Sequence, residues 1–307
     1  MEFSWLEDFL ALVESGNFSR AAERRNMTQP AFSRRIRALE DWAGASLFDR
    51  DTHRIELTLS GEHFRPVAED VVRRLASGRE AAREAASAAA ASLKFASTHA
   101  LSLTFFPAFL RSLEGHAALG PVRLIADSMV ACERIMLQGQ AQFLLCHHHA
   151  AAWNRLDPHE FHSVHLGRDT LLPVTARDMS GGPRFVLPGE EGAAVPHLAY
   201  SEESGMGRIV AAVRGLEGPP AWLDPVFTSH VATVLKSMAI GERGMAWLPL
   251  SLMQEELGPG GSLVRAGDET WDIDIEIRLF RPRSRQSAAA EAFWGRLEPV
   301  MKPSPSS

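Results

Sequence analysis

The first sixty residues contain three short apolar periodicities separated by polar turns, as three consecutive helices would. Apolar residues recur at helical spacing between positions 5 and 15, which predicts the first helix. The second helix is predicted to begin at Ser19, whose hydroxyl suits an N-cap. The third is predicted to begin at Thr28, with Pro30 in its first turn, where a missing N–H does no harm. Three apolar residues of the third helix share one face: Phe32, Ile36 and Leu39.

Polar side chains of the third helix, Ser33, Arg34 and Arg37, fall on or near the opposite face. A short capped helix with a buried stripe and exposed hydroxyl and guanidinium groups is what a major-groove reader needs. After it, the alternation of residues 47–50 and 54–58 about a turn predicts a short two-stranded wing. These elements together predict a winged helix-turn-helix.

A long helix is predicted next, capped by Thr58 or Ser60 and running to about residue 90. Its apolar and small residues repeat every 3.5 to 3.7 positions or so, as in a packed helix pair. A helix this long is too exposed to be stable alone, so we expect it to pair with its twin in a dimer. The alternative is a solvated linker helix. The stripe consists of Phe64, Val67, Val71, Leu75, Gly78 and Ala82.

From Leu93 onward, strands alternate with helices, which is typical of βαβ units and predicts mostly parallel sheets. The first set has strands at 93–98, 122–126 and 143–146 and helices at 101–113 and 130–137. The second set has strands at 198–200, 221–227 and 245–248 and helices at 206–213 and 231–240. Strands at 171–174 and 273–280 are predicted to cross between the two lobes, and a helix at 288–301 closes the domain. Ligands of such folds bind at the ends of strands, in the cleft between the lobes.

These patterns together predict a mixed fold of α-helical and α/β parts. Residues 1–60 form the winged helix-turn-helix, 61–91 the dimerising linker helix, 92–301 a two-lobed effector domain, and 302–307 a disordered tail. Lobe I is expected to contain about 92–170 and 273–301, and lobe II about 171–272.

Composition favours a soluble, cytoplasmic protein: of 307 residues, 45% are hydrophobic and 23% are charged. Acidic residues at positions 2, 7 and 8 interrupt the apolar residues of the N-terminus, which argues against a signal peptide. No apolar run reaches the roughly 18 residues of a membrane span. The two cysteines, Cys132 and Cys146, are too few for a disulfide framework.

Charge is concentrated in the predicted helix-turn-helix. Between Arg20 and Arg37 there are six arginines and one acid, Glu23, although the whole chain has a net charge of -6. A basic cluster on an acidic protein indicates contact with nucleic acid, so double-stranded DNA is the expected partner. The alternative is a helical hairpin with solvated arginines, some of them paired with Glu23, Glu40 or Asp41.

The candidate DNA contacts divide into two groups. Arginine pairs with guanine and glutamine with adenine in the major groove, so residues of the third helix are expected at or near base edges. Arginines on the second helix and the wing are expected to contact phosphates, which position the protein without specifying sequence. The first group is Gln29, Ser33, Arg34 and Arg37, and the second is Arg20, Arg50 and Arg54; Thr28 and Pro30 are also expected at the DNA interface.

Candidate effector residues occur where three predicted strands turn into helices. Hydroxyls and free helix amides at such openings suit a carboxylate or another small oxyanion, so we expect an organic anion or an oxidant as effector. The alternative is that these residues only cap helices. The three openings contain Ser97, Thr98, His99 and Ser102; Ser201, Ser204 and Met206; and Thr228, Ser229 and His230.

The run Cys146-His147-His148-His149 suggests a metal site, but adjacent strand residues point to opposite faces. We therefore predict no metal and no cofactor, and expect Cys146 to line the cleft where a strand leaves it. Cys146 and Met206 are also candidates for a redox signal.

Enzymatic activity is not expected. The chain has no Gly-x-Ser-x-Gly elbow, phosphate loop or dinucleotide-binding glycine motif. His99 and Ser102 resemble a catalytic pair, but no orienting acid is evident. A binding protein without DNA affinity is a third possibility, and the basic cluster argues against it.

The chain resembles the LysR-type transcriptional regulators over essentially its whole length. The motifs are Phe18-Ser19-x-Ala21-Ala22, Thr28-Gln29-Pro30-Ala31-x-Ser33-x-x-Ile36-x-x-Leu39-Glu40, Leu47-Phe48-x-Arg50, Leu57-Thr58 and Gly241-x-x-Gly244-Met245-Ala246-Trp247-Leu248-Pro249. The resemblance implies a winged helix-turn-helix, a dimerising helix and an effector domain of periplasmic-binding-protein type, in homodimers or homotetramers.

Three segments resemble the hypochlorite-responsive branch of that family: 29–40, 98–103 and 204–208. That branch is thought to sense oxidants through methionines, and Met206 lies in the last of these segments. The resemblance therefore adds an oxidant-sensing regulator as an alternative to one that binds a small effector.

Overall fold

The computed structural model describes residues 2–49, 55–86, 92–114, 120–216 and 220–297. The predictions for Arg50, Arg54, the wing tip and the tail 302–307 lie outside these residues. The chain divides into two compact units, residues 1–87 with 137–140, and residues 88–136 with 141–307.

The first unit contains four helices and a small hairpin among its described residues. They are α1 (Phe3–Ser15), α2 (Phe18–Arg24), α3 (Gln29–Ala43), β1 (Phe48–Asp49), β2 (Glu56–Leu57) and α4 (Leu59–Ala86). The apolar face predicted for α3 is confirmed, because Phe32, Ile36 and Leu39 are fully buried. Strands β1 and β2 pair antiparallel, as the wing prediction requires.

The predicted start of α2 at Ser19 is wrong. The N-cap is Asn17, whose Oδ1 accepts hydrogen bonds from the backbone N–H groups of Ser19 (2.9 Å) and Arg20 (3.1 Å). Asparagine caps as well as serine does. The earlier start also brings Phe18 into the helix, where its ring packs on Phe32 with centroids 6.0 Å apart.

Helix α4 is capped by Thr58, whose Oγ1 accepts from the N–H of Gly61 at 3.1 Å. Its Ala68 and Val72 are buried in the core of the first unit. Val67 and Leu75, from the predicted dimer stripe, are 55% and 52% exposed. The helix therefore packs on its own unit with one face and leaves part of the predicted stripe at the surface.

The second unit contains the alternating strands and helices. They are β3 (Leu93–Thr98), α5 (His99–Thr104), α6 (Phe106–Glu114), β4 (Val122–Asp127), α7 (Met129–Leu137), β5 (Phe143–His148), β6 (Phe161–Ala176), β7 (Val195–Tyr200), α8 (Gly205–Leu216), β8 (Leu223–Ser229), α9 (Ala232–Ile240), β9 (Ala246–Pro249), α10 (Gln254–Leu257), β10 (Leu263–Arg265), β11 (Ile273–Pro282) and α11 (Ala288–Leu297). Short 3-10 helices occupy Leu250–Leu252 and Glu269–Trp271.

Two elements differ from the prediction. The helix expected at 101–113 is two helices, α5 and α6, because Pro107 has no N–H to donate to the carbonyl of Leu103. The main sheet is mixed rather than mostly parallel: its order is β10-β6-β11-β5-β3-β4, with β9 also on β6. Strand β3 pairs parallel with β4 and β5, whereas the crossing strands β6 and β11 pair antiparallel with their neighbours.

The second unit has two hydrophobic cores, which define two lobes. Lobe I, with β3–β5, α5–α7 and α11, surrounds the rings of Phe95, Phe143 and Phe293. Lobe II, with β7–β9, α8 and α9, surrounds Trp247 and Leu235. Strands β6 and β11 run from one lobe to the other, so the ends of β3 and β4 and the starts of α8 and α9 meet in a cleft.

Candidate DNA-binding and effector sites

The exposed end of α3 carries most of the predicted base-contacting residues. Thr28, Gln29 and Pro30 are exposed at its start, and Arg34 and Arg37 are exposed along it; Ser33 is half-buried. Arg20 is exposed on α2. Among the described residues, Arg20, Arg34 and Arg37 have no ion-pair partner, so their charges are available to a DNA backbone or to base edges.

The other three arginines of the cluster stabilise the first unit. Asp8 is fully buried and pairs with Arg25 (Nε–Oδ1, 2.7 Å) and Arg35 (Nη1–Oδ2, 3.1 Å). Burial opposes the charge of Arg25, but the hydrogen bonds that it donates to Asp8 and Glu7 raise its pKa above the ordinary value. These pairs join α1 to α2 and α3. Among the described residues, the structural arginines therefore pair with acids of α1 rather than with the expected Glu23, Glu40 or Asp41.

Two further contacts complete this division. Arg24 lies 3.5 Å from Glu14. Glu40 instead accepts from the backbone N–H groups of Leu47 (2.9 Å) and Phe48 (3.3 Å), which ties the end of α3 to the wing. Three of the six arginines in the cluster therefore form ion pairs within the first unit, and the other three have no ion-pair partner among the described residues.

In the second unit, a small cavity lies in the cleft, with an interior of about 20 Å³, room for about one water molecule. Lobe I contributes the ends of β3, β4 and β5, and lobe II contributes the starts of α8 and α9. The lining residues are Thr98, His99, Ala100, Asp127, Ser128, Met129, His147, Ser204, Gly205, Met206, His230 and Ala232.

Five of the predicted effector residues line this cavity: Thr98, His99, Ser204, Met206 and His230. The other six do not. Ser97 is buried and donates to the carbonyl of Thr98, and Ser102 donates to the carbonyl of His99. Ser201, Thr228 and Ser229 line an open depression on lobe II. Cys146 lines a neighbouring cavity with His148 and His149.

Sequence reasoning missed Asp127, Ser128 and Met129, and it expected the run 146–149 to line the cleft without singling out His147. The first three lie at the end of β4 or directly after it, and β4 is parallel to β3, so its carboxyl end had to meet the same edge of the sheet. Side chains alternate along β5, so His147 and its neighbour Cys146 point to opposite faces of the sheet. That alternation was the signal in the sequence that separates His147 from Cys146.

His147 is the most unusual residue of the cavity wall. Its side chain is 2% exposed, and its Nε2 lies 3.5 Å from Oδ2 of Asp169 on β6. Among the described residues, neither Nε2 nor Nδ1 makes a hydrogen bond. Asp169 accepts from the Oγ of Ser251 at 2.6 Å, and from two backbone N–H groups. Burial alone would raise the pKa of Asp169, but the contacts with His147 and Ser251 lower it below its ordinary value.

The remaining wall combines apolar and polar groups. The first turns of α7, α8 and α9 contribute lining residues, and helix N-termini attract anions, whereas the carboxylate of Asp127 on the same wall repels them. The rings of His99 and His230, one from each lobe, have centroids 5.8 Å apart. Among the described residues, the Oγ1 of Thr98 is buried without a hydrogen-bond partner. The cavity therefore offers several donors and one carboxylate.

A buried ion pair joins the lobes beside the cavity. Glu133 of α7 pairs with Arg208 of α8 through two bonds, Nη1–Oε1 at 2.7 Å and Nη2–Oε2 at 3.0 Å. The ring of Trp153 covers the guanidinium, with its centroid 3.9 Å from Cζ. Close approach of the two helices needs Gly205, because a Cβ there would lie 3.2 Å from Cγ of Met129.

The redox and metal alternatives find little support in this geometry. Burial raises the pKa of Cys132 to about 12, and it also raises the pKa of Cys146, so neither is a ready thiolate. Met206 is 7% exposed and its Sδ accepts from the hydroxyl of Tyr200 at 3.2 Å. Among the described residues, no group of three or more metal-ligating side chains could hold an ion.

A basic helix-turn-helix and a two-lobed α/β domain with a polar cleft are the parts of a ligand-controlled DNA-binding regulator. Residues 3–62 match the family described as bacterial regulatory helix-turn-helix protein, lysR family, and residues 86–302 match the LysR substrate binding domain. The chain belongs to the LysR family of DNA-binding transcriptional regulators, with an effector-binding domain.

Known LysR-type regulators are similar to this chain over nearly its whole length. The chain is 32% identical over 300 residues, 97% of its length and 94% of the relative's, to the HTH-type transcriptional regulator YjiE of Escherichia coli. Vibrio fischeri DarR, solved in complex with DNA, is 34% identical with a TM-score of 0.55, covering 97% of this chain and 98% of that one. Full-length HypT of Salmonella typhimurium, a hypochlorite-specific LysR-type regulator, is 30% identical with a TM-score of 0.58 over 98% of both.

One further observation concerns membranes. Within the described part of the chain, every helix is too short or too polar to cross a bilayer.

Proposed function

We propose that this regulator binds a small anionic effector in the cleft between lobes I and II, and that the effector changes DNA binding by changing lobe closure. The observation that carries the proposal is the cavity at three helix N-termini, with His147 buried and, among the described residues, neither of its ring nitrogens in a hydrogen bond. A ligand can shift the closure only as far as its affinities for the two states differ. The regulatory domain of Salmonella HypT, 25% identical to this chain, has been solved with bromide bound, which supports an anion.

For DNA, we propose that Gln29, Ser33, Arg34 and Arg37 lie at or near base edges, with Thr28 and Pro30 at the same helix end, and that Arg20 contacts a phosphate. The exposure of these residues and the free charges of the three arginines support the assignment. Arg50 and Arg54 of the wing remain in the proposal as phosphate contacts.

Fluorescence anisotropy with promoter fragments from the protein's own genomic neighbourhood tests this assignment. Arg37→Ala should weaken specific binding, and Arg20→Ala should weaken binding to all sequences and reduce the salt slope by about one unit. Arg111→Ala, an exposed arginine of α6, is the matched control and should change neither. Equal affinity of all three variants and the wild type would refute the proposed interface.

We propose the domain boundaries 1–60, 61–91 and 92–301, and a homodimer or homotetramer formed through α4. The exposed Val67 and Leu75 support pairing of this helix. Sedimentation of the Leu75→Glu variant, expected to weaken the dimer, tests the pairing. We also propose that the protein is cytoplasmic and that it has no enzymatic activity.

Kinship with the hypochlorite-responsive branch is supported by the full-length likeness to HypT and by segments 98–103 and 204–208. Oxidant chemistry does not follow from it, because Cys132, Cys146 and Met206 are all buried. Hypochlorite treatment followed by sulfoxide mapping and DNA titration is the test. Unchanged DNA affinity after oxidation of Met206 would remove the oxidant alternative.

A further inference from the structure

We propose that anion binding in the cleft is proton-linked: His147 holds a small monovalent anion as an imidazolium, and Asp169 balances its charge. This inference rests on the proposed function, because it concerns the same cavity. It adds which residue recognises the ligand, and how pH controls that recognition.

The geometry of His147 gives each ring nitrogen a separate task. Nε2 lies within ion-pair distance of the carboxylate of Asp169, at 3.5 Å, but neither it nor Nδ1 makes a hydrogen bond among the described residues, and His147 lines the cavity. A neutral imidazole has one donor, whereas an imidazolium has two. The protonated ring can therefore serve Asp169 and an anion together. A buried donor left without an acceptor is costly, so an anion at Nδ1 stabilises the protonated form.

Size and charge select the ligand class. The cavity has room for about one water molecule, which fits a halide or the carboxylate of formate. The first turns of α7, α8 and α9 lie on its wall and favour negative charge. The Oγ1 of Thr98, also buried and unpartnered, supplies a further donor.

Asp169 is the group that sets the charge of His147. Among the described residues, it is the acid within ion-pair distance of this histidine, and Ser251 holds it in place. Three other acids lie nearby: Glu133 pairs with Arg208, Glu203 lies 3.7 Å from His230, and Asp127 on the cavity wall accepts from the N–H of Ser128 at 2.7 Å. The titratable and charged groups around His147 are Asp169, Asp127, His99, His230, Glu203, Glu133 and Arg208, with His148, Glu276 and Arg278 at the end of the same strand pair.

The test uses the full-length protein and two probes, sodium chloride and sodium formate. Ionic strength is held constant with sodium gluconate, whose anion is too large for the cavity. Binding is followed by thermal shift and tryptophan fluorescence between about pH 5.5 and 8.5, the range in which histidine titrates. With one proton taken up, Kd is expected to rise by up to about tenfold per pH unit as pH increases.

Variants assign the proton to one histidine. His147→Gln should bind both anions weakly, with no dependence on pH. Asp169→Asn, a second variant that keeps a similar shape, should move the loss of affinity to lower pH. His148→Gln is the matched control, because the side chain of His148 faces Glu276 rather than the cavity. This variant should retain the wild-type profile.

The outcomes separate the two proposals. If neither probe binds the wild type at any pH, the anionic effector itself is wrong. If the probes bind with the same Kd across the range, the proton linkage is wrong and the effector proposal stands. The inference is equally overturned if His147→Gln keeps the pH dependence and His99→Gln or His230→Gln abolishes it.

Discussion

Removing the guanidinium of Arg208 should destabilise the effector domain more than any surface change does. Arg208→Met keeps an unbranched aliphatic side chain, removes the guanidinium that Trp153 covers, and leaves the carboxylate of Glu133 without its counter-charge. The side chains of Glu133 and Arg208 are 0% and 5% exposed, so water cannot replace the lost partner. Breaking one side of a buried pair costs about 3–5 kcal/mol.

That free energy is large enough to measure by calorimetry. In a domain of this size each kcal/mol lowers Tm by about 2–4 °C, so Arg208→Met should lower it by about 6–20 °C. The double variant Glu133→Gln/Arg208→Met should be more stable than Arg208→Met, because it leaves no unpaired charge. Arg184→Met is the matched control: Arg184 and its partner Glu242 are 42% and 53% exposed, and such pairs contribute up to about 1 kcal/mol.

Two results would contradict this reasoning. A loss below about 1 kcal/mol for Arg208→Met would show that the pair behaves like a surface pair. A double variant as unstable as the single one would show that the damage comes from packing against Trp153 and not from the orphaned carboxylate.

Three further predictions concern single residues. Asn17→Ala should destabilise the first unit by about 1 kcal/mol through loss of the α2 cap, measured by urea unfolding, with Ser19→Ala as a neutral control. Asp8→Asn should cost about 1.5–3 kcal/mol, because Arg35 loses its acidic partner and Arg25 keeps only Glu7, and thermal unfolding would show it; a neutral result would mean that these charged hydrogen bonds do not stabilise the first unit. Asp169 has a folded pKa below its unfolded value, so its stabilising contribution is present above the unfolded pKa and is lost as pH falls through the folded one. Asp169→Asn should therefore flatten the acid side of the stability profile, and an unchanged acid side would contradict the lowered pKa.

The sequence predicted the first unit well because its signals are local. Caps, a proline in a first turn and an apolar stripe act within one helix, and they placed α3 and the burial of Phe32 correctly. The error at Ser19 came from overlooking Asn17, a capping residue two positions earlier; the earlier start brings Phe18 into the helix, where it packs on Phe32.

The cleft was harder to predict because its residues are brought together by strand order. Ser97 and His147 illustrate this: the motif around Ser97 looked like a binding loop, yet its hydroxyl turns to its own backbone. His147 belonged to a run of histidines that suggested a metal, and only pairing of β5 with β11, and of β11 with β6, brings it beside Asp169. No pattern within a short stretch of the sequence indicates that these strands pair. The residues of β6 before Leu171 were missed as well, since their polar side chains conceal the strand period.

The same ion pair that holds the lobes together limits what an effector can do. Glu133 and Arg208 join α7 to α8 next to the cavity, and the N–H of Val130 donates to the carbonyl of Glu203 at 3.3 Å across the same seam. An effector that prefers the joined state adds to contacts already made there, whereas one that prefers separated lobes must overcome them. A ligand shifts a two-state equilibrium only by its differential affinity, and about 5.5 kcal/mol is needed to invert a 99:1 ratio. A ligand small enough for about 20 Å³ makes few contacts, so it acts by neutralising the helix N-termini and His147 at the seam rather than by prising the lobes apart. Formate should consequently raise the Tm of Arg208→Met by less than it raises that of the wild type, because part of the variant population has separated lobes and the apparent affinity falls with the joined fraction. An equal shift in the two proteins would show that the anion binds without regard to lobe closure.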